Sequence, residues 1–225
     1  MTYRELARAE SPRGEVVLRE RTDEDAAGPA VLELRVNGVF VMDSRETTTE
    51  QALAAAALSH VDEPRSVVVA GLGLGYTVRA VLTDQRVERV AVVEVEEALV
   101  GWMRDGTVPH GPSFLADERV AVVVADVRQA VAEAGPATYD LVLLDVDNGP
   151  GFLVHEANAE VYEAPFLRAV HALLRPGGAV AVWSAAQAPG LRESLSTVFG
   201  EAGGIPLDVR LQGREEQYWL YLARR

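Results

Sequence analysis

Four carboxylates stand where short apolar, β-branched runs end. Glu94 closes Arg89-Val90-Ala91-Val92-Val93, Asp126 follows Val120-Ala121-Val122-Val123-Val124-Ala125, and Asp145 follows Tyr139-Asp140-Leu141-Val142-Leu143-Leu144, with Asp147 two residues on. An acidic side chain at a strand tip can accept hydrogen bonds from ribose hydroxyls or an adenine amino group, or take a proton from an attacking amine or hydroxyl. A second feature gives these carboxylates a common target. The run Ser66-Val67-Val68-Val69-Ala70 passes into Gly71-Leu72-Gly73-Leu74-Gly75, and a helical pattern starts at once over 76–83. This is a buried parallel strand turning tightly into a helix, with Cβ atoms removed where a ligand must approach the backbone.

The glycine spacing is informative. Dinucleotide folds use G-x-G-x-x-G, whereas here the third glycine comes two places after the second and Tyr76 occupies the dinucleotide position, which disfavours a nicotinamide oxidoreductase. G-x-G-x-G with an acidic tip 19 residues on, Glu94, is the pattern of S-adenosylmethionine (SAM) folds. On this reading Gly71, Gly73 and Gly75 hold the methionine part, Glu94 the ribose, and Asp126 with the Val127 backbone the adenine. Asp145 is the catalytic carboxylate beside the sulfonium. Plainer readings compete. Asp126 fits equally an N-cap for a helix over 127–134, Asp145 a structural place in the loop 145–151, and Asp147 an Asx turn in Asp-Asn-Gly-Pro.

The elements that must position these residues alternate. Strands are expected at about 66–70, 89–94, 119–125, 139–145 and 178–183, with helices between them and Pro176-Gly177-Gly178 as the turn into the fifth strand. A helix near 189–200 leads to a closing hairpin built from Val209-Arg210-Leu211 and a run over 217–222. The fold class is α/β: a doubly wound Rossmann-like seven-stranded sheet, five strands parallel plus a C-terminal antiparallel hairpin. Ahead of it, Val16–Arg19, 31–36 and 39–42 read as three short strands, the last two joined by the type I′ signal Asn37-Gly38, with 23–29 a polar loop. The expected division is a small antiparallel β unit over 1–48 and a SAM-binding unit over 49–225, opened by an alanine-rich helix over 49–59.

Composition narrows the chemistry. The 225 residues contain no cysteine and no lysine, so all 21 basic residues are arginine. That excludes thiolate chemistry, Schiff bases and a Walker lysine. The four histidines (His60, His110, His155, His171) show no metal-ligand spacing, and no metal is expected. The net charge of −13 disfavours nucleic acid and anionic membrane as partners and suits a small cationic or neutral substrate. No apolar run approaches the ~20 residues of a membrane span, and Met1-Thr2-Tyr3-Arg4-Glu5 has no signal-peptide character, so a cytoplasmic location is expected.

At these residues the chain resembles the spermidine synthase family of aminopropyltransferases on the class I SAM-dependent methyltransferase fold. Val-Glu-Val at 93–95, Asp-Glu-Arg-Val at 117–120, Tyr-Asp-Leu-Val-Leu-Leu-Asp at 139–145, Leu-Leu-Arg-Pro-Gly-Gly at 173–178 and Val-Asn-Gly-Val at 36–39 fall in family order. The resemblance implies a homodimer, with the N-terminal strands as its edge, and an acceptor bound by Asp147, Glu50 and Gln51. The departures fall on substrate-reading positions. Leu74 stands where the family carries the aspartate that holds the ammonium of decarboxylated SAM, and Val41 where it carries a glutamine. Thr49-Glu50-Gln51 replaces Tyr-His/Gln-Glu, and Leu211-Gln212-Gly213-Arg214 stands in place of Pro-Thr-Tyr-Pro. One ion pair at ~4 Å and an effective dielectric of ~20 amounts to ~4 kcal/mol before desolvation, enough to decide between donors. Leu74 removes that discrimination.

The sequence therefore favours SAM-dependent methyl transfer to a small molecule. Aminopropyl transfer from decarboxylated SAM to an amine, and a non-catalytic homologue binding an adenosyl ligand such as methylthioadenosine, are the alternatives. The segments 101–114 and 149–162, with Trp102, His110, Phe152, His155 and Tyr162, are expected to shape the acceptor pocket. If Glu94 holds the ribose, Glu94→Ala should weaken methylthioadenosine binding at least about tenfold by calorimetry, since a charge-assisted hydrogen bond contributes ~1.5–3 kcal/mol. Unchanged affinity would reject the assignment.

Overall fold

The computed structural model describes residues 1–22 and 29–225. Most of the expected polar loop at 23–29 lies outside the described residues. The chain forms two sheets. Four antiparallel strands, β1 (Thr2–Ser11), β2 (Gly14–Thr22), β3 (Val31–Val36) and β4 (Val39–Asp43), pair in sequence order. Three of them match the sequence expectation. β1 does not, because its residues are mostly exposed and carry no apolar alternation to read. Asn37 and Gly38 both take positive φ (51° and 74°), as a type I′ hairpin requires.

Helix α1 (Thr48–Ser59) then leads into the seven-stranded sheet. Its strands are β5 (Ser66–Ala70), β6 (Arg89–Glu94), β7 (Val120–Val124), β8 (Tyr139–Leu144), β9 (Leu174–Ser184), β10 (Ala202–Leu211) and β11 (Arg214–Arg224), in spatial order β10-β11-β9-β8-β5-β6-β7. β5 to β9 run parallel and β11 and β10 are antiparallel. The chain reverses its march across the sheet between β5 and β8, the place where such sheets open a crevice at their carboxyl ends.

Helices cover both faces. α1, α2 (Tyr76–Leu82) and α3 (Glu97–Asp105) lie with the N-terminal sheet against one core, built on Val67, Val69, Leu141 and Leu143. After the short α4 (Gly111–Leu115), the helices α5 (Val127–Glu133), α6 (Ala164–Leu173) and α7 (Pro189–Phe199) cover the other, built on Val68, Ala70, Val142 and Leu144. The strict alternation of these residues is the period-2 pattern of a sheet buried on both faces. Among the described residues no helix is long and apolar enough to cross a membrane.

Two sequence expectations need correction. Pro176-Gly177-Gly178 is not a turn before the fifth strand. β9 already pairs Leu174 with Tyr139 and resumes at Ala179 opposite Leu141, so the triplet is a bulge inside the strand. Gly177 takes φ +81°, and a Cβ on Gly178 would lie 2.7 Å from the Asp140 carbonyl oxygen. The closing hairpin is also longer than expected. β10 starts at Ala202 and contains Gly203, Gly204 and Pro206, residues that weaken any strand signal but are tolerated on a sheet edge.

The turn after β5 is fixed by packing of chain on chain. Gly71 has φ +92°, and a Cβ there would lie 2.1 Å from the Asp145 carbonyl oxygen, while one on Gly73 would lie 2.6 Å from Met42 Sδ. Gly71→Ala should therefore cost about 2–4 kcal/mol from overpacking and backbone strain, lowering Tm by roughly 5–15 °C in thermal denaturation. A change below 2 °C would contradict this.

Candidate active site

A cavity of about 670 Å³ lies between the N-terminal sheet and the carboxyl ends of β5 to β9. Its size suits an adenosyl group with a small second ligand. The N-terminal sheet roofs it and is tied down at three places. Arg13 donates to Glu96 (2.8 Å) and to the Val95 carbonyl (2.5 Å), Leu74 N–H donates to Met42 Sδ (3.2 Å), and Asn148 donates to the Phe40 carbonyl (3.3 Å).

At one end, Glu94 is buried at the tip of β6. Its two oxygens accept from the backbone N–H groups of Leu72 and Glu96, both at 2.8 Å, which fastens the glycine turn to the next loop. Burial nevertheless raises its pKa above the usual carboxylate value. A carboxylate has about four acceptor positions, so these two donors do not exhaust it. Asp126 caps α5 through Arg128 N–H (2.8 Å) and pairs with the Arg128 guanidinium (2.6 Å), which lowers its pKa. Val127 lies beside it in the cavity wall. The N-cap reading of Asp126 is thus realised, and the residue still faces the cavity.

At the other end, Asp145 at the tip of β8 accepts from Thr77 Oγ1 at 2.6 Å. Desolvation pushes its pKa up to about 6 against that hydrogen bond. Glu50 on α1 is 8 % exposed and accepts from Thr49 Oγ1 (3.0 Å). Burial first, and then the Asp145 charge, push its pKa up to about 8. Neither carboxylate has an ion-pair partner among the described residues. The cavity wall contains two arginines, Arg13 and Arg128, both at the Glu94–Asp126 end and both paired. Charge is therefore segregated along the cavity.

Other sequence candidates fall elsewhere. Asp147 faces the cavity, but its carboxylate accepts from Asn148 N–H (2.8 Å), Val154 N–H (2.7 Å), His155 N–H (3.3 Å) and the Asn158 amide (2.9 Å). With φ +60° it organises its loop, though through the next residue and the 154–158 segment and not through the backbone two residues on that an Asx turn uses. Gln51 is exposed on the outer face of α1 and donates to Thr47 Oγ1, because the next helical position after a cavity-facing residue points about 100° away. Gly71 and Gly73 line the cavity, whereas Gly75 lies behind it, where a Cβ would meet Met103 and Phe114. Leu74 is fully buried in the core and does not face a ligand. Of the two expected pocket segments, 149–162 contributes Phe152 and His155, but 101–114 contributes nothing. Trp102 packs on the core, and His110 lies between the tilted rings of Tyr76 and Phe114 and bonds the Leu74 carbonyl (2.7 Å). Tyr162 donates to the Val146 carbonyl instead of lining the space.

Thr77, Trp183 and Tyr218 are cavity residues that sequence reasoning missed. Thr77 stands two residues past the last glycine, and Trp183 is the penultimate residue of β9, as Asp145 directly follows β8. Strand-tip position, used for the carboxylates, would have found Trp183.

The architecture defines an α/β fold of the methyltransferase type. The spermine/spermidine synthase domain profile matches residues 46–197, more than half the chain, and the chain belongs to that family. A polyamine aminopropyltransferase of Pseudomonas aeruginosa is 34 % identical over 144 residues, covering 62 % of this chain and 39 % of that protein. A putrescine N-methyltransferase of Nicotiana tabacum is 30 % identical over 125 residues, covering 55 % of this chain and 31 % of that protein. The matches thus span less than half the length of these two relatives. The crystal structure of spermidine synthase from Thermotoga maritima superposes with a TM-score of 0.80 at 16 % identity, covering 98 % of this chain and 72 % of that one.

Because the Thr77 hydroxyl favours the ionised form of Asp145, Thr77→Val should raise the Asp145 pKa by about one unit, the equivalent of one hydrogen bond. Carboxyl-resolved ¹³C NMR titration of the free protein checks it. A wild-type midpoint near the ordinary aspartate value, or no upward movement in the variant, would refute the arrangement.

Proposed function

We propose that the protein transfers an aminopropyl group from decarboxylated SAM to a small amine. The observation that carries this reading is the segregation of charge in the cavity. In the half beside Asp145 and Glu50 neither carboxyl has an ion-pair partner among the described residues, so it suits ammonium groups, which would draw Glu50 into its ionised form, while the Asp145 charge disfavours the carboxylate of intact SAM. The aminopropyltransferase relatives point the same way.

The residues present fit such a donor. Glu94 would accept the ribose hydroxyls, Asp126 and the Val127 backbone would meet the adenine edge, and the open backbone at Gly71 and Gly73 would flank the sulfur side. When bound, the donor supplies a carbon made electrophilic by its sulfonium, with methylthioadenosine as leaving group. Asp145 takes the proton released from the nitrogen as the nitrogen–carbon bond forms and the carbon–sulfur bond breaks. Its raised pKa brings the carboxyl closer to the operating pH while leaving it mostly ionised above pH 6. Glu50, its pKa pushed up to about 8, would ionise against a bound ammonium and so supply the charge that the family places at the position of Leu74. Most of the rate would come from holding nitrogen, carbon and sulfur in line.

Methyl transfer from SAM to an amine is the second reading. It is favoured by the burial of Leu74, which leaves no carboxylate at that position, and by the N-methyltransferase relatives.

Parallel calorimetric titration with decarboxylated SAM, SAM and methylthioadenosine tests the choice. Decarboxylated SAM is expected to bind at least about tenfold more tightly than SAM, the equivalent of ~1.4 kcal/mol. Turnover by Asp145→Asn should fall by about 10²–10⁴ with donor affinity nearly unchanged. Tighter binding of SAM would replace the first reading with the second, and binding of none would leave a non-catalytic fold.

A further inference from the structure

A second, smaller cleft of about 400 Å³ lies between the N-terminal sheet and the tip of the β10–β11 hairpin. Its floor is charged. In β2 and β3, Arg19, Glu33 and Arg35 occupy the positions that alternate with Leu18, Leu32 and Leu34 of the core. Glu33 is 1 % exposed, and a single oxygen, Oε1, takes all its donors: Arg19 Nε (3.0 Å), Arg19 Nη2 (2.5 Å) and Arg35 Nη1 (2.8 Å). The other oxygen, Oε2, is buried with no hydrogen-bond partner among the described residues. Such an orphaned acceptor is uncommon and calls for an explanation. The Arg19 guanidinium is held over the Tyr3 ring, 4.1 Å from its centroid, and Tyr3 also lines the cleft.

The hairpin closes the cleft from the other side. Along β11, Arg214, Glu216 and Tyr218 share one face of the strand. Arg214 lines this cleft alone, Glu216 lines both the cleft and the larger cavity, and Tyr218 lines the cavity alone. Phe40 and Leu211 also stand in both walls and form an apolar partition. Arg214 and Glu216 have no ion-pair partner among the described residues. Three arginines thus face two carboxylates, a local excess of positive charge in a chain of net charge −13. Unmet groups of both signs therefore share one wall. A plain anion would engage Arg214 and leave the Glu33 oxygen without a donor, and a plain cation would do the reverse.

We propose that this cleft is a separate binding site for an α-amino acid with an apolar side chain. The ligand's carboxylate meets Arg214 and Arg35, its ammonium meets Glu216 and Glu33, and its side chain lies against Phe40 and Leu211. Arg35 has donors to spare, since a guanidinium carries five N–H groups and the structure commits one nitrogen to Glu33 and one to the Gly38 carbonyl. A zwitterion answers both kinds of unmet group at once, and the apolar partition between the two spaces supplies its remaining contact. The site does not rest on the transfer reaction proposed above, and neither Asp145 nor Glu50 takes part in it.

The test titrates L-leucine and 4-methylpentanoate, which has the same carbon skeleton and carboxylate but no ammonium, into the full chain by calorimetry, with methylthioadenosine present in excess. Wild type is expected to bind L-leucine with a Kd of about 1 mM or tighter and 4-methylpentanoate at least about tenfold more weakly, the lower bound for one charge-assisted hydrogen bond. Arg214→Gln should weaken L-leucine at least about tenfold, and Arg214→Lys, which keeps the charge, should recover part of that loss. Arg214 is exposed at the hairpin tip, so both variants should keep the wild-type Tm within about 2 °C. Arg214 is absent from the wall of the larger cavity, so sensitivity to it assigns the binding to the cleft. No binding of L-leucine, or equal binding by wild type and Arg214→Gln, would overturn the proposal. Equal affinity for 4-methylpentanoate would also overturn it, because the site would then read an anion alone. The readout is binding and not turnover, so each of these failures leaves the transferase reading standing.

Discussion

The arrangement of the site depends on one close approach, the backbone of Gly71 against the carbonyl of Asp145. A Cβ on residue 71 would lie 2.1 Å from that oxygen, so only a glycine at positive φ lets the turn after β5 lie against the tip of β8. The neighbouring hydrogen bonds, Asp145 N–H to the Ala70 carbonyl and Gly71 N–H to the Val93 carbonyl, both at 2.9 Å, stitch three strand tips together. Thr77 on the helix after the turn is thereby brought to 2.6 Å from the Asp145 carboxylate. The same stitching carries Leu72 N–H to Glu94, so both ends of the cavity are registered to one turn.

Burial then divides the labour among the carboxylates. Glu94 and Asp126 receive backbone or guanidinium donors and are anchored in the scaffold. Asp147 is surrounded by four donors from its own loop. Asp145 and Glu50 receive one hydroxyl each, which leaves them under-solvated and raised in pKa. Groups left under-solvated in a cavity are those that gain most from a cationic ligand. Burial raises Glu94 as well, but Glu94 is committed to two backbone donors, and that supply of hydrogen bonds, not residue type, sets it apart from Asp145 and Glu50.

Much of this was legible in the sequence, and the reason is local. The strand tips at Glu94, Asp126 and Asp145 follow from apolar runs that end in a carboxylate, and the parallel order follows from alternation with helices. Residues whose roles depend on distant partners were not legible. Gly71 and Gly73 read as room for a ligand, yet the atoms that forbid their side chains belong to Asp145 and Met42, far away in sequence. Leu74 read as a ligand-facing substitution because family position was followed, and its burial is decided by the core beneath α2. Gln51 and Glu50 are neighbours in sequence and point to opposite environments, a distinction that needs the helix register against β9 and not the motif. β1 was invisible because an exposed strand leaves no hydrophobic period.

The roof has a consequence of its own. The N-terminal sheet shares an apolar core with the larger sheet, and at the cavity a few polar tethers join them, Arg13 to Glu96 and Val95, Asn148 to Phe40, and Leu74 to Met42. A molecule seated between the two sheets touches both and acts as mortar between them. Whatever fills the cavity therefore adds to the adhesion that the shared core already gives the two halves of the chain. Ligand occupancy and resistance of the N-terminal strands to peeling, as in proteolytic nicking, become one linked equilibrium.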